Sequence, residues 1–356
     1  MKEFALLLLF VLARISISTS ISISMSLGEN QSLFNKWDIV NNGTVVKTCD
    51  ESQCSLVGVY NSENATSLEL ALNKLVSVDK NAFGQLTSLL YLSLSYNKLE
   101  SLDPNQFQNQ TNLLELYIKS NHLTSLDPTL FDPLVTLAVL DLSNNQLANL
   151  DPTLFVNLTS LRNLSLANND LDSLDPLLFK SLAKLKHLDL SFNMITSLDH
   201  QIFKNQLNLA YLKLSFNQLT DLNWQLFTSL KKLTLLSVAY NKLRDLDKRV
   251  FRGLHKLEHL FLYNNQLEEL NEELFVNLNH LKTLDLSSNQ LKSLGPRLFW
   301  KLRKLEKLSL SSNQLKRVEP ITFSGLDNLE SLLLFDNDDL DLSNINQKWL
   351  RNLDSN

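Results

Sequence analysis

Asparagine returns every 24 residues along this chain. Asn73, Asn97, Asn121, Asn145, Asn169, Asn193, Asn217, Asn241, Asn265, Asn289, Asn313 and Asn337 stand on one period without an insertion. A second ladder keeps the same step: Phe83, Phe107, Phe131, Phe155, Phe179, Phe203, Phe227, Phe251, Phe275, Phe299 and Phe323. Leucine, almost a quarter of the 356 residues, fills the frame between them, as Leu137, Leu140, Leu142, Leu147, Leu150 and Leu158 do around Asn145. Self-similarity at such a period is the mark of one stacked array, although the length alone would allow two or three separate domains. Within each copy a Leu-x-Leu pair (Leu140 and Leu142, Leu188 and Leu190) alternates as a strand does. So short a strand cannot bury its apolar side alone, and stacking covers it with the next copy. The asparagine amide can both donate and accept bonds to backbone groups that an inward turn leaves unpaired. Phenylalanine suits the wider convex side. Pro104, Pro128, Pro152, Pro176, Pro296 and Pro320 preset φ where the chain enters it.

The frame L-x-x-L-x-L-x-x-N-x-L-x-x-L-x-x-x-x-F-x-x-L-x-x resembles the typical 24-residue class of extracellular leucine-rich repeat proteins, similar to arthropod leucine-rich immune and Toll-like ectodomains. The resemblance covers residues 65 to about 352. It implies an α/β-type repeat solenoid, a curved horseshoe with a parallel concave β-sheet and a mostly irregular convex side. Both ends of such a stack need caps. Residues 25–64 form the expected N-terminal cap, with a hairpin over 37–60 that holds Trp37, Ile39, Val45, Val46, Val57, Val59 and the pair Cys49/Cys54. Relatives usually carry four cysteines there, so this cap is a reduced one. The repeats run over 65–337, and 338–356 is a reduced C-terminal cap ending in Trp349-Leu350, with Asp341 and Ser343 where that family places a Cys-x-Cys pair.

Ahead of the array, Phe4 to Ala13 is an apolar run of the length of a signal-peptide core, too short to span a bilayer. Residues 1–24 are therefore expected to be a secretory signal peptide, cleaved between Ser20 and Gly28. No second apolar run of 18 residues occurs, and a soluble, secreted, extracellular protein is expected. Export agrees with a Cys49–Cys54 disulfide in an oxidising compartment, where so small a ring adds modest entropic stabilisation. It agrees also with N-glycan sequons at Asn42, Asn64, Asn109, Asn157 and Asn163, and at Asn30 if cleavage retains it.

Chemistry of other kinds finds little support. The net charge is −5 with both signs mixed, which offers no concentrated basic surface for nucleic acid. Only 7 glycines are present, and no phosphate-cradling loop is among them. His255-Lys-Leu-Glu-His259 has the outer spacing of a helical zinc site, but Lys256 stands where glutamate is required and the frame places the segment on a loop and strand. His187 and Asp189 could hydrogen-bond, with Ser191 next along, yet these three stand in a row on an open sheet rather than in a pocket. The expectation is a protein that is not an enzyme, with no cofactor and no metal.

What varies between copies is the outward face. Residues six, four, two and one before each asparagine project from the concave sheet or its rim. Phe192, Phe216 and Tyr240 place an aromatic at the same position in three consecutive copies, extended by Tyr211, Phe261 and Tyr263 and flanked by His187, Asp189 and Lys213. Clustered exposed aromatics have the composition of an interface hot spot. The competing reading is that the position before the asparagine is half buried by the next turn. Eleven strand steps at roughly 4.8 Å give a face about 53 Å long, ample for a protein partner. A glycan on Asn163 would push a large ligand toward the later copies. The function expected is a secreted recognition protein that binds an extracellular protein or a microbial surface ligand through its concave face, in innate immunity or signalling. Alternatives are a self-associating matrix or adhesion component, and an inhibitor of a secreted enzyme. Homodimerisation stays open.

Overall fold

The computed structural model describes residues 21–25, 34–40, 43–49, 53–60 and 64–341. Most of the expected signal peptide, Asn30, Asn42 and the end of the C-terminal cap with Trp349 lie outside these residues. Twelve short strands form one parallel sheet, from Ser67–Glu69 and Tyr91–Ser93 through ten more to Ser331–Leu333, in unbroken sequence order. Each strand is three residues long and meets its neighbour at an offset of one repeat, as in Asn163↔His187, Leu164↔Leu188 and Ser165↔Asp189. The central residue of each points inward and is buried, while those on either side face out.

On the opposite side the chain is a series of turns, and among the described residues its one regular piece there is the 3-10 helix Pro320–Phe323. Aspartates open these turns. Asp103, Asp127, Asp151 and Asp175 each accept the backbone N–H two residues on, with the intervening proline holding φ. Hydrogen bonds from Thr129 and Thr153 hold the carboxyls of Asp127 and Asp151 below the usual carboxylate range. Under the turns runs the phenylalanine ladder, from Phe83 to Phe323, with every ring fully buried. Neighbouring rings stack at 6.3 Å for Phe83–Phe107 and 6.4 Å for Phe179–Phe203. Burying each such side chain contributes about 1.5–3 kcal/mol.

The asparagine ladder ties successive turns together. Asn217 donates from Nδ2 to the carbonyls of Leu190 (2.9 Å) and Leu214 (3.1 Å), and its Oδ1 accepts the N–H of Ile195 at 3.0 Å. The same set recurs at Asn145, Asn193 and Asn289. One side chain thereby satisfies backbone groups of two copies inside the stack, where an unpaired group would cost about 1–3 kcal/mol.

At the N-terminal end a second sheet covers the stack. Ile21–Met25, Phe34–Val40, Gly43–Cys49 and Cys54–Tyr60 pair antiparallel in that order, and Cys54–Tyr60 runs parallel to Leu75–Val78 of the first repeat. The Cys49–Cys54 disulfide closes the turn between two of these strands, with Cα atoms 4.1 Å apart. Val45 and Val59 are buried, whereas Val57 is exposed. Lys47, fully buried between Val45 and Cys49, hydrogen-bonds Asn73 Oδ1 through its ammonium. Every later ladder asparagine accepts a backbone N–H from the preceding repeat. Asn73 has no preceding repeat, and the cap supplies a lysine instead.

Candidate binding face

The four outward positions of each repeat make rows across the concave face. Residues six and four before the asparagine flank the buried leucine of the strand, the residue two before forms a floor, and the residue one before forms a rim. Rim residues all adopt left-handed backbone, with φ of 56° at Phe192, 55° at Phe216 and 51° at Tyr240. The conformation lets their N–H groups reach the next repeat, as Phe216 N–H does to the Ala239 carbonyl at 2.9 Å. Asn144, Asn168, Asn264 and Asp336 occupy the same position, and such short polar residues tolerate it by bonding locally. An aromatic has no such compensation, and left-handed backbone costs a residue of this kind roughly 1–2 kcal/mol.

The rim aromatics stack on one another. Ring centroids lie 4.1 Å apart for Phe192–Phe216 and 4.0 Å for Phe216–Tyr240, with planes within 12° of parallel. Phe192 is 50% exposed and Tyr240 40%, while Phe216 is half-buried because a ring covers each of its faces. The cover comes from its neighbours in the ladder, and the ring edges face solvent. Tyr263 meets Tyr240 edge-on at 5.4 Å and Phe261 at 6.4 Å, so all five rings form one continuous ridge. Across the sheet a shorter stack pairs His187 with Tyr211 at 4.5 Å. Burial, followed by the charge of Lys186, lowers the His187 pKa.

Between the two stacks Lys213 Nζ pairs with Asp189 at 3.1 Å. Asp189 also accepts both the N–H and the hydroxyl of Ser191. The hydrogen bond from His187 to Asp189 that the spacing allowed is therefore replaced. The imidazole stacks on Tyr211, because side chains in register on neighbouring strands lie face to face, and the carboxylate is taken by Ser191 and Lys213. His255 and His259 do not converge either, since the His255 carbonyl is instead 2.9 Å from His280 Nδ1 and His259 opens the strand His259–Phe261. Among the described residues no group of three or more His, Cys, Asp or Glu is placed to hold a metal ion.

The start of the face is of different character. Tyr91 donates its hydroxyl to Glu69 at 2.9 Å, and Tyr117 donates to Glu115 at 2.8 Å. Burial and the Glu115 bond together raise the Tyr117 pKa. These tyrosines are already committed to carboxylates, unlike the Phe192–Tyr240 ladder. Of the sequons, Asn64, Asn109 and Asn157 are exposed, with Asn109 bonded to the Gly84 carbonyl and Asn157 to Asp132. Asn163 opens its strand on the concave side, in register with His187.

Sequence reasoning overlooked Lys47 and the left-handed rim. Lys47 had a signal, since it falls in step with inward-facing Val45 and Cys49.

Solved structures with this architecture include Toll in its complex with Spatzle from Drosophila, at 19% identity and a TM-score of 0.62 over 88% of this chain and 53% of that one. TLR13 in its complex with ssRNA13 is similar at 26% identity and a TM-score of 0.59, over 81% of this chain and 49% of that one. The leucine-rich repeat domain of APL1B is similar at 24% identity and a TM-score of 0.66, over 81% of this chain and 82% of that one. The chain thus spans about half the length of the Toll and TLR13 chains it matches. No curated protein matches it. Among the described residues, no helix is long and apolar enough to cross a membrane. The leucine rich repeat family matches in overlapping stretches that run without a gap from residue 63 to residue 338, and with its asparagine and phenylalanine ladders in that frame the chain belongs to this family.

Proposed function

We propose that the protein is a secreted recognition protein that binds an extracellular protein or a microbial surface ligand through the concave face, in innate immunity or signalling. The observation that carries the reading is the rim ladder. Phe192, Phe216 and Tyr240 hold left-handed backbone and leave their ring edges in solvent. The backbone conformation serves the stack at every rim position, but the aromatic side chains are not needed for it, since asparagine fills the same position in other repeats at lower cost. Strain kept at an exposed apolar cluster is expected where a partner covers it. Ligand complexes of proteins with this architecture, Toll with Spatzle and TLR13 with ssRNA13, support a binding role. The mixed charge, −5 overall, favours such a ligand over nucleic acid. A glycan on Asn163 would shield the earlier repeats and leave the ladder as the open contact.

The test is affinity capture from the native extracellular fluid. Wild type runs beside the Phe192→Ser/Phe216→Ser/Tyr240→Ser variant, and what each retains is identified by mass spectrometry. A partner kept by wild type and lost by the folded variant is the expected result. Retention of nothing but further copies of the chain would replace this reading with the self-associating matrix component.

A further inference from the structure

Charges that look mixed along the chain are separated in space. In each copy the residues leading into the strand and those following the asparagine lie on opposite flanks of the solenoid, with the sheet on one side between them and the phenylalanine turn on the other. The positions fourteen and fifteen past each asparagine belong to the first flank. In the first four copies they are uncharged, from Thr87 and Ser88 to Thr159 and Ser160. In later copies the same row holds Lys184, Lys231, Lys232, Lys256, Arg303 and Lys304, all exposed. Lys180, Lys204, Arg252 and Lys301, also exposed, widen it toward the convex side. Members of the row touch from copy to copy: Lys232 Nζ donates to Asn208 Oδ1 at 2.7 Å, and Asn208 Nδ2 to the Ala183 carbonyl at 2.9 Å. The other flank of these copies exposes Asp170, Asp172, Asp199, Asp221, Asp245 and Glu269.

The sequons divide the basic flank at the same place. Asn109 and Asn157 stand on it, twelve past their asparagines, and every sequon of this sequence precedes Asn169. Asn205 and Asn277 hold the same frame position later, but Leu207 and Asn279 stand where a sequon needs serine or threonine. The cationic half of the flank therefore carries no N-glycan acceptor. Among the described residues Lys184, Lys231, Lys256, Arg303 and Lys304 make no ion pair, whereas Lys282 pairs with Glu258 at 2.8 Å.

Composition selects the occupant. Protein interfaces are poor in lysine and rich in aromatics. Here lysine outnumbers arginine, and the one Trp, Tyr or Phe exposed in these rows is Trp300, already under Lys301 Nζ at 4.2 Å. Nucleic-acid tracks interleave aromatics on which bases stack, and phosphate recognition favours the arginine fork. A second copy would offer its acidic flank, yet Asp247, Glu268 and Glu273 there are paired with Arg249, Lys292 and Lys248. Lysines in a line read charge at intervals and little else. From Lys184 to Lys304 the row takes five steps, about 24 Å at a strand spacing of roughly 4.8 Å and about 31 Å at the 6.2 Å ring spacing of the convex side. We propose that this flank binds a linear anionic polysaccharide, whose sulfate or carboxylate groups run along the lysines from copy to copy. The site is separate from the concave face.

A fluorescent heparin oligosaccharide titrated into the full chain over a salt series tests this. Wild type is expected to bind, with log K falling linearly with log salt as counterions are released. Lys231→Gln/Lys232→Gln should weaken binding about tenfold at about 0.15 M salt and flatten that slope, and Arg303→Gln/Lys304→Gln should act alike. Lys242→Gln/Arg244→Gln removes the same charge from the other flank and should change binding by less than about twofold. Phe216→Ser should bind heparin as wild type does, which separates this site from the recognition face. No binding by wild type, or equal losses from the variants of both flanks, overturns the proposal. Tighter binding of poly(U) RNA or of phosphatidylserine vesicles than of heparin at equal salt overturns it in favour of nucleic acid or membrane. Self-association that sedimentation shows to need Lys231 and Lys232 without heparin present overturns it in favour of a second copy.

Discussion

Two aromatic ladders climb this solenoid at the same 24-residue step, and they do opposite things. The convex one is wholly buried, with rings 6.2–6.4 Å apart. The rim one stacks at 4.0–4.1 Å with its edges in solvent. The spacing difference reflects curvature, since repeats fan apart on the convex side and crowd together on the concave side. Residue type therefore did not decide the role; position relative to the sheet did. A phenylalanine behind the leucines replaces solvent contact with packing and stabilises the fold. One on the rim is held in an unfavourable backbone region and stacks only on its own kind.

The contrast can be broken experimentally. Phe203→Ala, in the buried ladder, should cost about 3–5 kcal/mol and lower the melting temperature sharply, because the surrounding leucines cannot close the cavity. Asn217→Leu should cost about 2–4 kcal/mol, as the Leu190 and Leu214 carbonyls and the Ile195 N–H lose their shared partner. A melting temperature equal to wild type would remove the asparagine ladder from the account of what holds the repeats together. Phe216→Ser should be mildest, within about 1.5 kcal/mol, since it removes two half-exposed ring stacks at a position that serine already fills at Ser120, Ser288 and Ser312. Its effect belongs in binding, where a tenfold weaker Kd corresponds to about 1.4 kcal/mol. Should Phe216→Ser melt as low as Phe203→Ala, the rim ladder is core after all and the comparison collapses.

Much of this architecture was legible residue by residue. The first leucine of each Leu-x-Leu pair centres a strand, with the second buried just past its end, the asparagines engage the backbone on both sides, and the phenylalanines line the convex interior. The candidate face was harder. His187, Asp189 and Ser191 looked like a row with one hydrogen bond waiting between the first two, but neighbouring strands reassigned both partners, to Tyr211 and Lys213. Those contacts cross 24 residues, and nothing local announces which of two near groups an imidazole will face.

By itself, then, the sequence determined the period, the strand in each copy and the inward and outward residues, because these depend on spacing along one chain and on the need to bury leucine. Only the tertiary structure decided that the rim is left-handed, that its aromatics close to 4.0 Å while the buried ones stay at 6.3 Å, that Lys47 stands in for a missing repeat, and that Cys49 and Cys54 pair with each other. The rim and the ring spacings depend on how neighbouring copies lean on one another. That lean is set by the sum of packing across the whole stack, and no single repeat carries it.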